Sequence, residues 1–371
     1  MFQEFPGLQG GIILCLKIEY AVIKFINNFS LPTTNCQRLL KIKMFINWPH
    51  FLIPKVFFAL SFVANPVFTY LIHTEKSFPF GDYKYLLYFF ATFNMTSSVI
   101  DVLVPICVHT FRYATMVFIV GGPFFEKSRL GEFLIAGRCA FISGTYGILN
   151  SHFIFRYMIL RHNNFMTQYF NPYGLVCAIL LVVFHWLVWV IPTDWAMDSD
   201  GEMREYVRES FESTYGILEG LNVKIVIFSE GSPDVVFRSW TGTLFVTFLA
   251  SYSIVLYFVL GYKIISYLNQ SLSFMSPKTI KMQKRLFWAL FVQTVIPICV
   301  SFMPCTVSLY GSALRLDFLS SVNYMPSIAV STFPFLDPLA ITMCLPALRN
   351  RLFLKLGIKI FSNQVYSNPK V

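Results

Sequence analysis

The sequence predicts an all-α membrane protein: a bundle of seven transmembrane helices with its N-terminus outside, its C-terminus in the cytoplasm and a short amphipathic helix in the tail. Three observations predict it. The first is composition: of 371 residues, 56% are apolar and 13% are charged, with 41 Phe, against about 25% charged in soluble proteins. One soluble core cannot absorb that much apolar surface, whereas lipid can. The second is a run of seven apolar segments near spanning length: Val56–Ile72, Tyr85–Val108, Phe133–Phe155, Tyr173–Ile191, Ser239–Tyr262, Leu286–Ala313 and Phe318–Leu348. The third is how charge alternates between the loops that join them.

Loops 73–84, 156–172, 263–285 and the tail 346–371 hold 14 basic residues against two acids, Glu75 and Asp82. Loops 109–132, 192–238 and 314–317 hold eight basic residues against 13 acids. Lys and Arg stay on the cytoplasmic side, so the first set is predicted to lie inside. The acidic stretch from Asp194 to Asp234 then lies outside, and it reads as a solvated loop too short for a domain of its own.

The chain divides into an N-terminal extension (1–46), the seven-helix domain (47–355) and a cytoplasmic tail (356–371). Residues 1–43 carry Lys17, Lys24, Arg38, Lys41 and Lys43, which contradict an outside N-terminus. Met44 opens a stretch, MFINWPHF, that reads as a natural start, so residues 1–43 are expected to be dispensable.

The net charge of +10 does not point to nucleic acid, because the basic residues cluster between apolar runs and not on one polar domain. The eight cysteines are scattered, with no CxxC and no His at metal spacing, so neither a metal nor a cofactor is predicted. No phosphate loop, GxSxG, HExxH or catalytic carboxylate pair appears, which argues against an enzyme. Few ionisable groups lie inside the spans: Asp101, Arg138, His152, His185 and Asp337. Such groups are costly in lipid and are functional candidates. The two histidines read as packing residues.

Four stretches carry a resemblance. GDYKYLLYFF enters the second span, HFIFRY ends the third, KMQKRLFWALFVQTVIP opens the sixth, and PFLDPLAITMCLPALRNRL runs from the seventh into the tail. In this order and spacing the chain resembles a G-protein-coupled receptor, and more narrowly the nematode serpentine chemoreceptors of the Str type (class r, diacetyl-receptor-like). That resemblance implies a multi-pass receptor of the plasma membrane of sensory-neuron cilia, with a small-molecule odorant and a heterotrimeric G protein as partners. The chain departs from rhodopsin-like receptors at three points. Phe155 stands where an acid would precede Arg156, Ile341 stands where a tyrosine would follow Pro338 by three residues, and no outer-loop cysteine is available for the usual disulfide. A resting lock on Arg156 therefore needs a partner other than a neighbouring acid.

Arg156, Tyr157, Lys281, Lys284 and Arg285 form a basic inner mouth that faces the G protein, or that serves only as a topology anchor. Pro297 kinks the sixth span, as a pivot or as a fixed bend. Asp337, next to Pro338, is expected to be protonated or to bond water and Asn65 on the first span, in a conformational or a structural role. Arg138 precedes Arg156 by 18 residues, five helical turns, which puts both on one face about 27 Å apart. Two readings of Arg138 compete. It lines a ligand cavity with Cys139, Ile142 and Tyr146 and prefers an acceptor-bearing ligand, or it snorkels out to Asp194, Asp198, Asp200 and Glu202. Two rival functions remain: a peptide or amine receptor, which a large structured outer loop would favour, and a seven-helix ligand-gated cation channel, which has its N-terminus inside.

Overall fold

The computed structural model describes residues 48–75, 80–161, 169–270, 276–316 and 325–357. The 1–46 extension and the tail beyond 357 lie outside the described residues. The described residues hold helices for seven spans. The first is α1 (Trp48–Thr74) and the second α2 (Tyr83–Leu103). Strands β1 (Ile106–Phe111) and β2 (Ala114–Ile119) precede the third span, α3 (Arg129–Leu160). A π-helical turn at Phe170–Gly174 leads into the fourth, α4 (Leu175–Ala196). Helix α5 (Gly201–Thr214) and strand β3 (Val223–Ile227) come before the fifth span, α6 (Pro233–Gln270). The sixth span is broken into α7 (Pro277–Pro297), a π-helical turn (Ile298–Phe302) and α8 (Met303–Ala313). The seventh is α9 (Met325–Cys344), followed by the tail helix α10 (Pro346–Lys355).

Among the described residues, six of these spans are both long and apolar enough to cross a membrane. Helix α3 has the length, at 32 residues, but carries Arg138, Asn150, His152 and Arg156 on buried positions. The reason is its place in the bundle. It packs against α2, α4, α6 and α7 and shows little of itself to lipid, so it can hold polar side chains that a peripheral helix cannot. A side chain on Gly147 would run into the backbone of Val182, so a glycine there lets α3 and α4 approach closely.

The sheet corrects the sequence reading. Residues 106–108 do not continue the second span; Pro105 ends the helix, and the apolar stretch beyond it forms strands. Strands β1, β2 and β3 make an antiparallel sheet in that order, with Cys107 opposite Phe118 and Met116 opposite Ile225. Both faces are buried, and the two-residue period divides the work. Cys107, Ala114, Met116, Phe118, Val223 and Ile225 point to one side, where Met203, Val207 and Phe211 of α5 complete a core. Ile106, Val108, Thr115, Val117 and Lys224 point to the other side, towards the bundle. Each fully buried side chain of that core contributes about 1.5–3 kcal/mol, which gives this cap a fixed shape with Cys107 a free thiol.

Local signals hold the cap in register. Ser128 caps α3 by accepting from the Gly131 amide at 3.0 Å, and Asp200 caps α5 through the Met203 amide at 3.0 Å. Asn222 staples β3 to the segment before α3. Its Nδ2 donates to the Phe124 and Glu126 carbonyls at 2.6 and 2.7 Å, and its Oδ1 accepts from the Ser128 amide at 2.7 Å. Several acids of the cap are paired rather than solvated: Asp200 with Arg238 at 2.7 Å, and Asp194 with Lys224 and Arg129, both at 2.8 Å; Glu132 at the start of α3 pairs with Arg204 at 3.0 Å.

Candidate functional site: a capped cavity and a mouth at the opposite end

Between the cap and the spans lies a cavity of about 110 Å³. The sheet forms its roof through Ile106, Val108, Thr115, Val117 and Lys224. Its walls come from α3 (Ile135, Ala136, Arg138, Cys139, Ile142), α4 (Trp189, Thr193), α6 (Gly242, Thr243, Val246), α8 (Cys305, Ser308, Leu309) and α9 (Pro326, Ser327, Val330). Every span except α1 and α2 contributes to the wall.

Arg138 is 3% exposed, and its Nη2 lies 2.6 Å from Oδ1 of Asp101, itself 2% exposed. Ser331 on α9 interacts with the same carboxylate. The arginine therefore does not snorkel out to Asp194, Asp198, Asp200 or Glu202, which have partners in the cap. A buried guanidinium needs a counter-charge within reach, and Asp101 supplies one at the same depth on α2.

Of the four cavity residues expected from sequence, Arg138, Cys139 and Ile142 line this space. Tyr146 lies a turn deeper. It borders a second, much smaller cavity with Ile142, Pro297 and Ser301, and its ring stands 6.3 Å from that of Phe302. Ile142 is common to both cavities, so the wall of the first runs directly into the break of the sixth span. That break has a local cause: Pro297 has no N–H to give, and the chain passes the fault as a π-helical turn before α8 resumes. At the other end of α8, Thr115 Oγ1 of the roof sits 2.8 Å from Ser312 Oγ and 3.2 Å from the Ser308 carbonyl.

At the opposite end of the bundle Arg156 is buried. Its guanidinium lies over the Tyr83 ring, 4.0 Å from the centroid, and its Nη1 donates to Gln283 Oε1 on α7 at 3.1 Å. With Phe155 in the place of an acid, a neutral amide on the sixth span holds the arginine. Tyr157 is half-buried, with the Lys263 ammonium 5.8 Å from its ring centre. Lys281, Lys284 and Arg285 are exposed around the same mouth. The tail helix docks beside it, with Arg351 bonded to the Thr74 carbonyl and Lys355 2.6 Å from the Tyr70 hydroxyl.

Asn65 does not meet Asp337. Pro338 cannot donate to the Pro334 carbonyl one turn earlier, and Asn65 Nδ2 takes that free carbonyl at 3.0 Å, with Ser61 Oγ at 3.5 Å. Both carboxyl oxygens of Asp337 are buried without a hydrogen-bond partner among the described residues. The two histidines are bonded as packing residues: His152 Nδ1 lies 2.8 Å from the Tyr83 hydroxyl, and His185 Nε2 meets Tyr252 and Asn150. Outside the spans, burial holds the His109 imidazole down to about 4 and pushes the Cys107 thiol up to about 12.

Three participants are absent from the site residues that the sequence suggests, Gln283 as the partner of Arg156 and Trp189 and Lys224 in the cavity wall, and Asp101, a candidate there as an intramembrane acid, has no partner assigned. Asp101 and Arg138 are visible in the sequence as opposite charges in neighbouring spans. Nothing local marks the other three.

The fold and these two ends define a multi-pass membrane protein of the serpentine, seven-helix kind. A family profile described as "Serpentine type 7TM GPCR chemoreceptor Srj" matches residues 44–352, and the chain belongs to that family. It is 36% identical over 311 residues to Serpentine receptor class J-38 of Caenorhabditis elegans, covering 83% of this chain and 94% of that one. G-protein coupled receptor str-33 of the same nematode is 24% identical over 295 residues, covering 76% and 84%. Serpentine receptor class r-10 of Caenorhabditis briggsae is 23% identical over 306 residues, covering 80% and 87%. These matches correct the narrower resemblance: the class is Srj and not Str or class r, whose members are more distant than the class J relative.

Proposed function

We propose that the chain is a chemosensory receptor that holds a small molecule in the capped cavity and activates a heterotrimeric G protein at the Arg156 end. The observation that carries this reading is the join between the two. Ile142 and Tyr146 lead from the cavity to the break after Pro297, Thr115 ties the roof to α8, and Gln283 of α7 holds Arg156. A ligand that moves α8 relative to α7 changes how Arg156 is held. The cap then faces outside, the mouth of Lys281, Lys284 and Arg285 faces the cytoplasm, and the protein resides in the plasma membrane of sensory cilia. Pro297 acts as pivot, while Asp337 and Pro338, with Asn65 on the neighbouring carbonyl, set the resting shape of α9.

One observation favours the peptide-receptor alternative: the outer loop is structured. The size of the cavity outweighs it. A space of about 110 Å³ roofed by a sheet admits a small molecule and not a peptide. The test is expression with a G-protein reporter and a panel of volatile and water-soluble compounds. A saturable response that is lost in Cys139→Phe supports the reading, and a response indifferent to that substitution contradicts it.

A further inference from the structure

Two Ser-Pro dipeptides occur in the sequence, Ser232-Pro233 and Ser276-Pro277, and each opens a span. Their surroundings differ. Ser232 is half-buried in the cap, with its amide bonded to Glu202 and an acid, Asp234, two residues on. Ser276 is exposed at the Arg156 end, with its backbone extended at φ −62° and ψ 144°, and the chain continues to Lys278 and Lys281. Its hydroxyl accepts from the Thr279 amide at 3.2 Å and meets Thr279 Oγ1 at 2.9 Å. The loop 263–285 holds five basic residues and no acid. Gln283, which bonds Arg156, follows Ser276 by seven residues, about two turns along the same face of α7.

Resting on the reading of this end as the cytoplasmic, G-protein-facing one, we propose that Ser276 is a phosphorylation site for a proline-directed protein kinase that uses ATP, and that the phosphate turns signalling down. Such a kinase needs an accessible hydroxyl on an extended residue followed by proline, and Ser276 supplies all three. The Ser276 oxygen bonds to the γ-phosphorus of ATP, the bond from that phosphorus to ADP breaks, and the hydroxyl proton passes to the kinase. The product carries a charge of about −1.5 to −2. It is the one anion in a loop of five cations, so the positive field of the mouth at Lys281, Lys284 and Arg285 falls. It also stands at the positive end of the α7 dipole, where negative charge is favoured. That holds the inner end of α7 in the conformation in which Gln283 bonds Arg156. Both effects oppose release of Arg156. Ser232 has no such cations beside it and, in this orientation, lies outside the cell and away from ATP.

The test has two arms. In the first, purified full-length protein is incubated with ATP and a proline-directed kinase, and phosphopeptides are mapped by mass spectrometry. Ser276 should be modified and Ser232 should not, and Pro277→Ala should abolish the modification. No phosphate on Ser276, or equal phosphate on Pro277→Ala, overturns the site. The second arm compares Ser276→Asn with Ser276→Asp. Both side chains cap a helix as serine does and neither accepts phosphate, so the pair differs in charge alone. Basal reporter output at matched surface expression should be about two- to fivefold lower for Ser276→Asp. Ser276→Asn should match the wild type with the kinase inhibited. Equal output from the two variants overturns the regulatory role. The levels of failure separate. A receptor silent in every variant removes the coupling reading, and the regulatory role with it. A receptor that signals but whose Ser276 takes no phosphate removes this site alone.

Discussion

Asp101 and Arg138 illustrate how a buried pair behaves at the scale of single residues. Removing one partner leaves an uncompensated charge, and the cost of that is about 3–5 kcal/mol. Asp101→Asn is therefore expected to lower the melting temperature strongly, and Asp101→Asn combined with Arg138→Met to recover most of the loss. Equal melting temperatures for the single and double variants would show that the pair is not formed. Legibility at this scale is uneven. The helical period alone places Arg138, Cys139 and Ile142 on one surface, and they do line one cavity. Tyr146 shares their helix face but lies too deep, because a face says nothing about where a void ends. Gln283 and Trp189 are not legible, since an amide and an indole on apolar helices carry no local sign of the partner they meet.

At the scale of elements, the cap and the broken sixth span each make a prediction. The buried His109, 3.1 Å from Ser210 and packed edge-on to Tyr215, is neutral in the folded cap with its titration held down to about 4. An unfolded histidine takes up its proton near pH 6.5, so the unfolded state binds more protons between those values. Cap stability is fully present above about pH 6.5 and is lost progressively as pH falls towards 4. Amide exchange in β1 and β2, followed from neutral to acid pH, should show protection falling in that window, and His109→Phe should flatten the profile. Pro297→Ala restores a backbone donor and straightens the pivot; the maximal response should fall while ligand binding is retained. The spans are legible because lipid demands long apolar runs, and the tail helix and the Pro297 break are legible for equally local reasons. The sheet is not. Residues 106–108 pass for the end of the second span and 109–119 for part of a loop, and only Pro105 and the β-branched residues beyond it hint that the helix has stopped and strands begin. Its pairing with β3 joins positions more than a hundred residues apart, which no local pattern reveals.

For the molecule as a whole, the account is one of two ends joined by the sixth span. Gln283 on α7 holds Arg156 in the described conformation. A hydrogen bond from a charged group contributes about 1.5–3 kcal/mol, so Gln283→Leu should raise ligand-independent signalling about tenfold or more, measured as basal reporter output at matched surface expression. Unchanged basal output would mean that this contact does not restrain the receptor. All of it requires the cap to face the exterior, a direction read from the segregation of Lys and Arg between loops. The most direct measurement places one epitope between Glu219 and Gly220, at an exposed turn of the cap, and a second after Val371. On intact cells the cap epitope should stain and the terminal one should stain only after permeabilisation. Staining of the terminal epitope on intact cells, with the cap epitope hidden, would invert the bundle and contradict a receptor that samples the outside through this cavity.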